Sequence, residues 1–194
     1  MEIKKTELLT VAVMKAQYPE EGPPEIAFAG RSNVGKSSLL NLLAGKRHLA
    51  KVSGSPGKTR TINFYAINGD AFRIVDLPGY GYAKVARSVS AQWGDMIEAY
   101  LKNRTVLKKV ALLADIRHEP STQDRQMYDW LKYYGLDGLV VATKADKIPR
   151  GSRKKNLKVI RDKLAMADAD VIIPVSVPQR TGVDALLDEI GSAL

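Results

Sequence analysis

"GRSNVGKSS", residues 30–38, decides how the rest of the chain is read. Gly30 and Gly35 stand five positions apart, and Lys36, Ser37 and Ser38 follow the second glycine. This is the spacing of a phosphate-binding loop, G-x-x-x-x-G-K-[ST]. Glycines let the backbone curl so that successive N–H groups converge on an anion. A helix that follows such a loop adds its own free N–H groups and the positive end of its dipole. Lys36 sets a compact positive charge against β- and γ-phosphates, and Ser37 offers an oxygen to Mg²⁺. A glycine turn joining a strand to a helix is the plainer alternative. The flanks favour the phosphate loop: "EIAFAG" (25–30) is strand-like, and Leu39, Leu40 and Leu43 open a helical stripe.

Strand-like and helix-like runs continue to alternate outward from this loop. "TINFYAI" (61–67) and "AFRIVDLP" (71–78) read as strands, and Asn68-Gly69 between them predicts an antiparallel hairpin. "VALLADI" (110–116), "LVVATKAD" (139–146) and "DVIIPVS" (170–176) are further strands. Trp93, Met96, Ile97, Tyr100 and Leu101 keep helical spacing, as do Met127, Trp130, Leu131 and Tyr134, with Gly135 as the stop. A helix is expected between 152 and 166, and Val183, Leu186, Leu187 and Ile190 mark the last one. The expected fold is α/β in three layers: a mostly parallel six-stranded sheet with one antiparallel edge strand and helices on both faces. The expected organisation is a single domain, with residues 25–194 as its body and residues 1–24 as an N-terminal strand or arm packed on it.

The composition narrows the chemistry. With no cysteine in 194 residues, disulfides, thiolate metal sites and thiol catalysis are excluded. The net charge of +9 favours polyanionic partners, although solubility alone would also account for it. No apolar run approaches the roughly 20 residues that span a bilayer. Lys4 and Lys5 before "LLTVAVM" resemble a signal peptide only faintly, because Lys15 breaks the short apolar run and no small-residue cleavage pattern follows. The expected location is the cytoplasm.

Two further motifs bear on the nucleotide. Asp76-Leu77-Pro78-Gly79 ends a hydrophobic strand 40 residues after Lys36. A carboxylate there can hold Mg²⁺ through a water, and the Gly79 N–H can meet a γ-phosphate. Thr143-Lys144-Ala145-Asp146 ends a later strand. With it the chain resembles GTP-binding proteins of the translation-factor-related P-loop class, in which an [N/T]-K-x-D motif reads guanine. Guanine presents N1–H and N2–H₂ side by side, and one carboxylate accepts both. Against adenine Asp146 would be left unpaired, at a cost on the order of a few kcal/mol. The Lys144 stem is expected along the base plane. Ser176 in "PVSV" matches the loop that supports the guanine O6 through backbone N–H groups.

"GRSNVGKSS", "PGKTRTINF", "DLPGYGYAKV" and "TKADK" together resemble the EngB/YsxC family of bacterial ribosome-assembly GTPases, over nearly the whole chain. The resemblance implies a Ras-like G domain with the P-loop NTPase fold. It also implies a GTP-dependent switch in assembly of the large ribosomal subunit, essential for growth and linked to normal cell division. It implies GTP contacts at Gly30, Arg31, Ser32, Asn33, Val34, Gly35, Lys36, Ser37 and Ser38. Further contacts follow at Gly57, Lys58, Thr59, Arg60 and Thr61; at Asp76, Leu77, Pro78 and Gly79; at Thr143, Lys144, Ala145 and Asp146; and at Val175, Ser176 and Val177. Mg²⁺ is expected on Ser37 and on a threonine of the first switch, with Asp76 acting through water. Thr59 and Thr61 both qualify; Thr59 is preferred because Thr61 already enters the strand. Gly54, Pro56 and Gly57 suit a loop that orders around a γ-phosphate. Lys36 and Thr59 are the expected supports of the transition state.

The sequence departs from a common GTPase pattern at Tyr80. Many GTPases carry a water-orienting glutamine after the DxxG glycine, and a phenol cannot replace an amide that donates and accepts at once. Slow hydrolysis is therefore expected, with help from a partner, a cation or a rearranged switch. Asn33 occupies the position where related proteins can hold K⁺ beside the phosphates; bracing the loop is its alternative role. Arg31 either touches phosphate or faces solvent. Asp115, ending a central strand, is read as a structural hydrogen-bonding group, and His48 and His118 as isolated surface or loop residues. Lysines and arginines crowd 144–163 (Lys144, Lys147, Arg150, Arg153, Lys154, Lys155, Lys158, Arg161, Lys163), and a second group gathers at Lys46, Arg47, Lys51, Lys58, Arg60, Lys84 and Arg87. Both are read as faces for ribosomal RNA or proteins, with shape and charge outweighing base reading. A monomer is expected. Two rival readings are a regulatory GTP-binding module of division or a membrane surface with little hydrolysis, and a P-loop kinase or ATPase, against which "TKAD" argues.

Overall fold

Buried runs of Val, Ile, Leu and Ala alternate with amphipathic stretches, and they assemble one sheet between two layers of helix. The structure, a computed structural model, describes residues 1–46, 49, 61–81 and 87–194. The strands are β1 (Thr6–Ala12), β2 (Glu25–Gly30), β3 (Ile62–Ile67), β4 (Phe72–Asp76), β5 (Leu107–Asp115), β6 (Asp137–Thr143) and β7 (Val171–Pro174). The helices are α1 (Lys36–Leu43), α2 (Arg87–Asn103), α3 (Thr122–Tyr133), α4 (Arg153–Leu164) and α5 (Val183–Gly191). The strand order is β1-β3-β4-β2-β5-β6-β7.

The sheet has seven strands where the sequence pattern suggested six. The N-terminal segment supplies the additional one: β1 pairs antiparallel with β3, from Thr6↔Ile67 to Ala12↔Ile62. The antiparallel strand β3 therefore lies one place in from the edge and runs against both neighbours. β1 is hard to recognise because Leu8, Leu9 and Val11 are exposed, so its apolar residues do not mark a core face. A register shift between Leu8 and Thr10 breaks the period-2 pattern as well. The hairpin is as expected: Asn68, Gly69 and Asp70 all have positive φ, and Ile67 pairs with Phe72.

Alternation along β2 divides the core. Ile26 and Phe28 pack on one face with Leu39, Leu40 and Leu43 of α1 and Leu186 and Ile190 of α5. Ala27 and Ala29 pack on the other with Ile97 and Tyr100 of α2, Met127 and Leu131 of α3, and Ile160 and Leu164 of α4. A central parallel strand covered on both faces must be apolar on both, which is why these strands read as continuous hydrophobic runs. At the far end of β2, the fully buried Glu25 accepts hydrogen bonds from Tyr100 Oη (2.9 Å) and Arg104 Nε (2.9 Å), which pins the end of α2 to the sheet.

The strand order places the site. From β2 the chain moves outward to β3, steps back to β4, then passes β2 to reach β5, β6 and β7. Ligands of open α/β sheets bind at such a reversal, beyond the carboxyl ends of the strands. Here the carboxyl ends of the parallel strands β2, β4, β5, β6 and β7 lead to Gly30, Asp76, Asp115, Thr143 and Val175. Residues far apart in sequence thus meet on one edge. Among the described residues no helix is long and apolar enough to cross a membrane.

Candidate functional site

The 30–36 loop is held open by groups that take its outward carbonyls. Thr143 Oγ1 donates to Val34 O at 2.7 Å, and Lys144 Nζ donates to Asn33 O at 2.7 Å. Ser32 N donates to Tyr80 O at 2.8 Å, which ties the loop to the run after β4. Asn33 has φ +64° and Gly35 has φ +105°. Such alternation turns successive N–H groups inward. Gly35 caps α1, so the unpaired N–H groups of that helix's first turn join them. Gly30 is required by packing: a Cβ there would stand 2.9 Å from Val34 Cγ1 and 3.0 Å from Leu113 Cβ.

Beyond the loop lies a buried polar chain. Lys36 Nζ pairs with the Asp76 carboxylate, both side chains being about nine-tenths buried. The other Asp76 oxygen accepts from Asn63 Nδ2 at 3.3 Å, and Thr61 Oγ1 donates to Asn63 Oδ1 at 3.0 Å. Asn63 was not foreseen in the sequence. Its place opposite Asp76 in the β3–β4 ladder brings it there. A hydroxyl at Ser37 and a carboxylate at Asp76 are hard oxygen donors suited to Mg²⁺. Among the described residues no cluster of three acidic, His or Cys side chains offers an all-protein metal cage, and Mg²⁺ on phosphates does not need one.

The other end of the edge is built around Asp146. Ser176 Oγ, fully buried, donates to Asp146 Oδ1 at 2.8 Å, and Lys147 Nζ lies 3.4 Å from Oδ2. The Ser176 hydroxyl holds the Asp146 carboxyl below the usual carboxylate range, with Lys147 adding to the effect. The surrounding loop is tied down: Ala145 N donates to Val175 O (3.1 Å), and Arg153 Nη2 donates to Ala145 O (2.9 Å). Ser176 therefore acts through its hydroxyl, a role the sequence did not disclose. Lys144, at φ +61°, stretches its stem toward the phosphate loop, and its ammonium also meets Asp115 Oδ2 at 2.9 Å. Burial pushes the Asp115 carboxyl up, but hydrogen bonds from Arg117 and Lys144 pull it well below its ordinary range. Asp115 thus orients Lys144, consistent with a structural role.

Tyr80 is turned away from this edge. It is 1% exposed, and its hydroxyl donates to Asp124 Oδ1 at 2.8 Å. Asp124 also closes the capping box of α3 with Ser121. Burial, reinforced by Asp124, raises the Tyr80 phenol well above its ordinary value, so it stays protonated. Arg31 leans toward the same carboxylate, 3.9 Å from Asp124 Oδ2. His118 is exposed. His48 and the first-switch positions Gly54, Pro56, Gly57, Lys58, Thr59 and Arg60 lie outside the described residues.

The basic faces are partly internal. Arg153 and Arg161 spend their guanidinium groups on backbone carbonyls of Ala145, Ala167 and Asp170. Arg150, Lys154, Lys155 and Lys158 remain exposed along the start of α4. Of the second group, Lys46 Nζ bonds Thr6 O, tying the end of α1 to β1. Arg47, Lys51, Lys58, Arg60, Lys84 and the Arg87 side chain lie outside the described residues.

Known proteins agree with this arrangement. Residues 25–144 match a family model described as 50S ribosome-binding GTPase. A probable GTP-binding protein EngB from Alkaliphilus oremlandii is 55% identical over 190 residues, spanning 98% of this chain and 91% of that one. One from Clostridioides difficile is 54% identical over 98% of this chain and 93% of its own. A crystal structure of a probable GTP-binding protein engB superposes with a TM-score of 0.71 at 26% identity, covering 87% of this chain and 97% of that one. With its phosphate loop, DLPG and TKAD motifs gathered on one edge of a P-loop GTPase fold, the chain belongs to the EngB family of GTP-binding proteins.

Proposed function

We propose that the protein is a slow GTPase, acting as a monomer in the cytoplasm, whose nucleotide state governs its engagement of the large ribosomal subunit during assembly, with normal cell division depending on that step. The observation that carries the nucleotide reading is Asp146, fixed by the buried Ser176 hydroxyl on the same edge as the phosphate loop. The loop N–H groups and Lys36 hold the phosphates. Asp146 accepts N1–H and N2–H₂ of guanine, the Lys144 stem lies beneath the base, and the Val175–Val177 backbone meets O6. Lys36 exchanges its contact with Asp76 for the β- and γ-phosphates.

Ser37 and Thr59 would hold Mg²⁺, with Asp76 acting through a water. Thr61 is engaged with Asn63, which supports Thr59 as the switch ligand. Mg²⁺, when bound, neutralises charge on the β- and γ-phosphates. Tyr80 offers no amide to orient water, which supports a slow intrinsic rate. Asn33, exposed on the outer turn of the loop, would offer its side-chain oxygen to K⁺. GTP turnover should then be several-fold faster in KCl than in NaCl, and equal rates would remove K⁺ from the account.

The match to a model described as ribosome-binding and the exposed cations of α4 support the partner. Co-sedimentation with large-subunit particles tests it. Binding is expected with a non-hydrolysable GTP analogue, weaker binding with GDP, and a steep loss as salt rises. Equal binding in both nucleotide states would contradict the switch.

A further inference from the structure

We propose that the Ser32 hydroxyl positions the water that attacks the γ-phosphate, an inference that rests on the GTPase reading above. Ser32 Oγ is buried and has no hydrogen-bond partner among the described residues. Buried polar groups are almost always satisfied, so a buried hydroxyl held without a partner points to one that arrives with a ligand. The hydroxyl faces Gly79: a Cβ built on Gly79 would stand 3.3 Å from Ser32 Oγ. Backbone bonds fix that approach, Ser32 N to Tyr80 O at 2.8 Å and Tyr80 N to Gly30 O at 3.3 Å. Gly79 is the residue whose N–H meets the γ-phosphate in the reading above, so Ser32 lies on the γ-phosphate side of the loop. Tyr80, the next residue in the chain, is committed to Asp124 in the core.

A serine hydroxyl carries one donor and two acceptor sites. Ser32 Oγ accepts a hydrogen bond from the attacking water and donates one to a γ-phosphate oxygen. The water oxygen bonds to Pγ as the bond from Pγ to the β–γ bridging oxygen breaks. The bridging oxygen keeps the electron pair and leaves with GDP. The water's proton passes to the phosphate oxygens, giving inorganic phosphate. Ser32 gains and loses no net proton, so it is a positioning residue that acts by direct contact with the water.

The test compares Ser32→Ala with the parent protein in single-turnover hydrolysis. Affinities are measured for GDP, for a non-hydrolysable GTP analogue, and for GDP with aluminium fluoride, which mimics the phosphoryl group in transfer. Hydrolysis should fall about 10- to 100-fold. GDP should bind as before and the GTP analogue no more than a few-fold weaker, a smaller loss than that in rate, while the aluminium fluoride complex is lost. Tyr80→Phe, which removes the hydroxyl that bonds Asp124, should keep the parental rate and lower the unfolding midpoint by a few degrees. Hydrolysis by Ser32→Ala at the parental rate would overturn the proposal, as would a loss of GTP-analogue affinity matching the loss in rate. Failure of the parent protein to bind GTP would instead overturn the functional reading on which this one stands.

Discussion

Replacing Asp146 by Asn is expected to weaken GTP binding about 100-fold or more, while the fold stays intact. In the proposed binding mode the carboxylate accepts both N1–H and N2–H₂ of guanine; an amide would accept one and set its own N–H₂ against the other. A mismatched pair of buried donors costs on the order of a few kcal/mol. The side-chain oxygen of Asn can still accept from Ser176 Oγ, which donates to Asp146 Oδ1 at 2.8 Å, so the loop keeps its brace. The same change should improve binding of xanthosine triphosphate, which carries a carbonyl where guanine carries N2–H₂ and can accept from the new amide. Titrations of both nucleotides against both proteins read the exchange. Because Ser176 holds the Asp146 carboxyl below its usual range, guanine preference should not titrate near neutral pH. Unchanged GTP affinity in Asp146→Asn would place the base elsewhere.

Lys36→Ala should also lower GTP affinity about 100-fold or more, and hydrolysis with it. In the proposed binding mode, loss of the ammonium removes the charge that would sit on the β- and γ-phosphates as charge shifts between them. A second effect is separable. The Asp76 side chain is about nine-tenths buried and pairs with Lys36, so its removal strands a carboxylate. The nucleotide-free protein should lose about 1–3 kcal/mol of stability. Adding Asp76→Asn relieves the stranded charge and should restore part of that stability without restoring GTP binding. Chemical denaturation and nucleotide titration of the two single variants and the double variant distinguish the roles. Recovery of GTP binding in the double variant would show that Lys36 matters through Asp76 rather than through phosphate.

Much of this site is legible in the sequence because its chemistry restricts residue types at fixed spacings. Gly30 and Gly35 are required by packing and by positive φ, and Lys36 and Asp146 by charge. What the sequence hid depends on contacts between distant segments. Tyr80 looked like a failed glutamine; its actual partner, Asp124, is 44 residues away on α3. Ser176 is legible only as a backbone contact, and Asn63 as an ordinary polar residue, until β7 and β3 bring their side chains to Asp146 and Asp76. Arg153 and Arg161 read in the sequence as parts of a basic face for ribosomal RNA or proteins, yet they satisfy backbone carbonyls that local sequence does not reveal. β1 escaped a firm assignment because its apolar residues face outward on an edge strand.

Calorimetric titration of the protein with GTP and with ATP, both in Mg²⁺, tests the central claim most directly. Triphosphate held by the phosphate loop and base chosen by Asp146 together predict tight binding of GTP and binding of ATP weaker by at least about 100-fold. ATP bound as tightly as GTP, or neither nucleotide bound, would contradict the account.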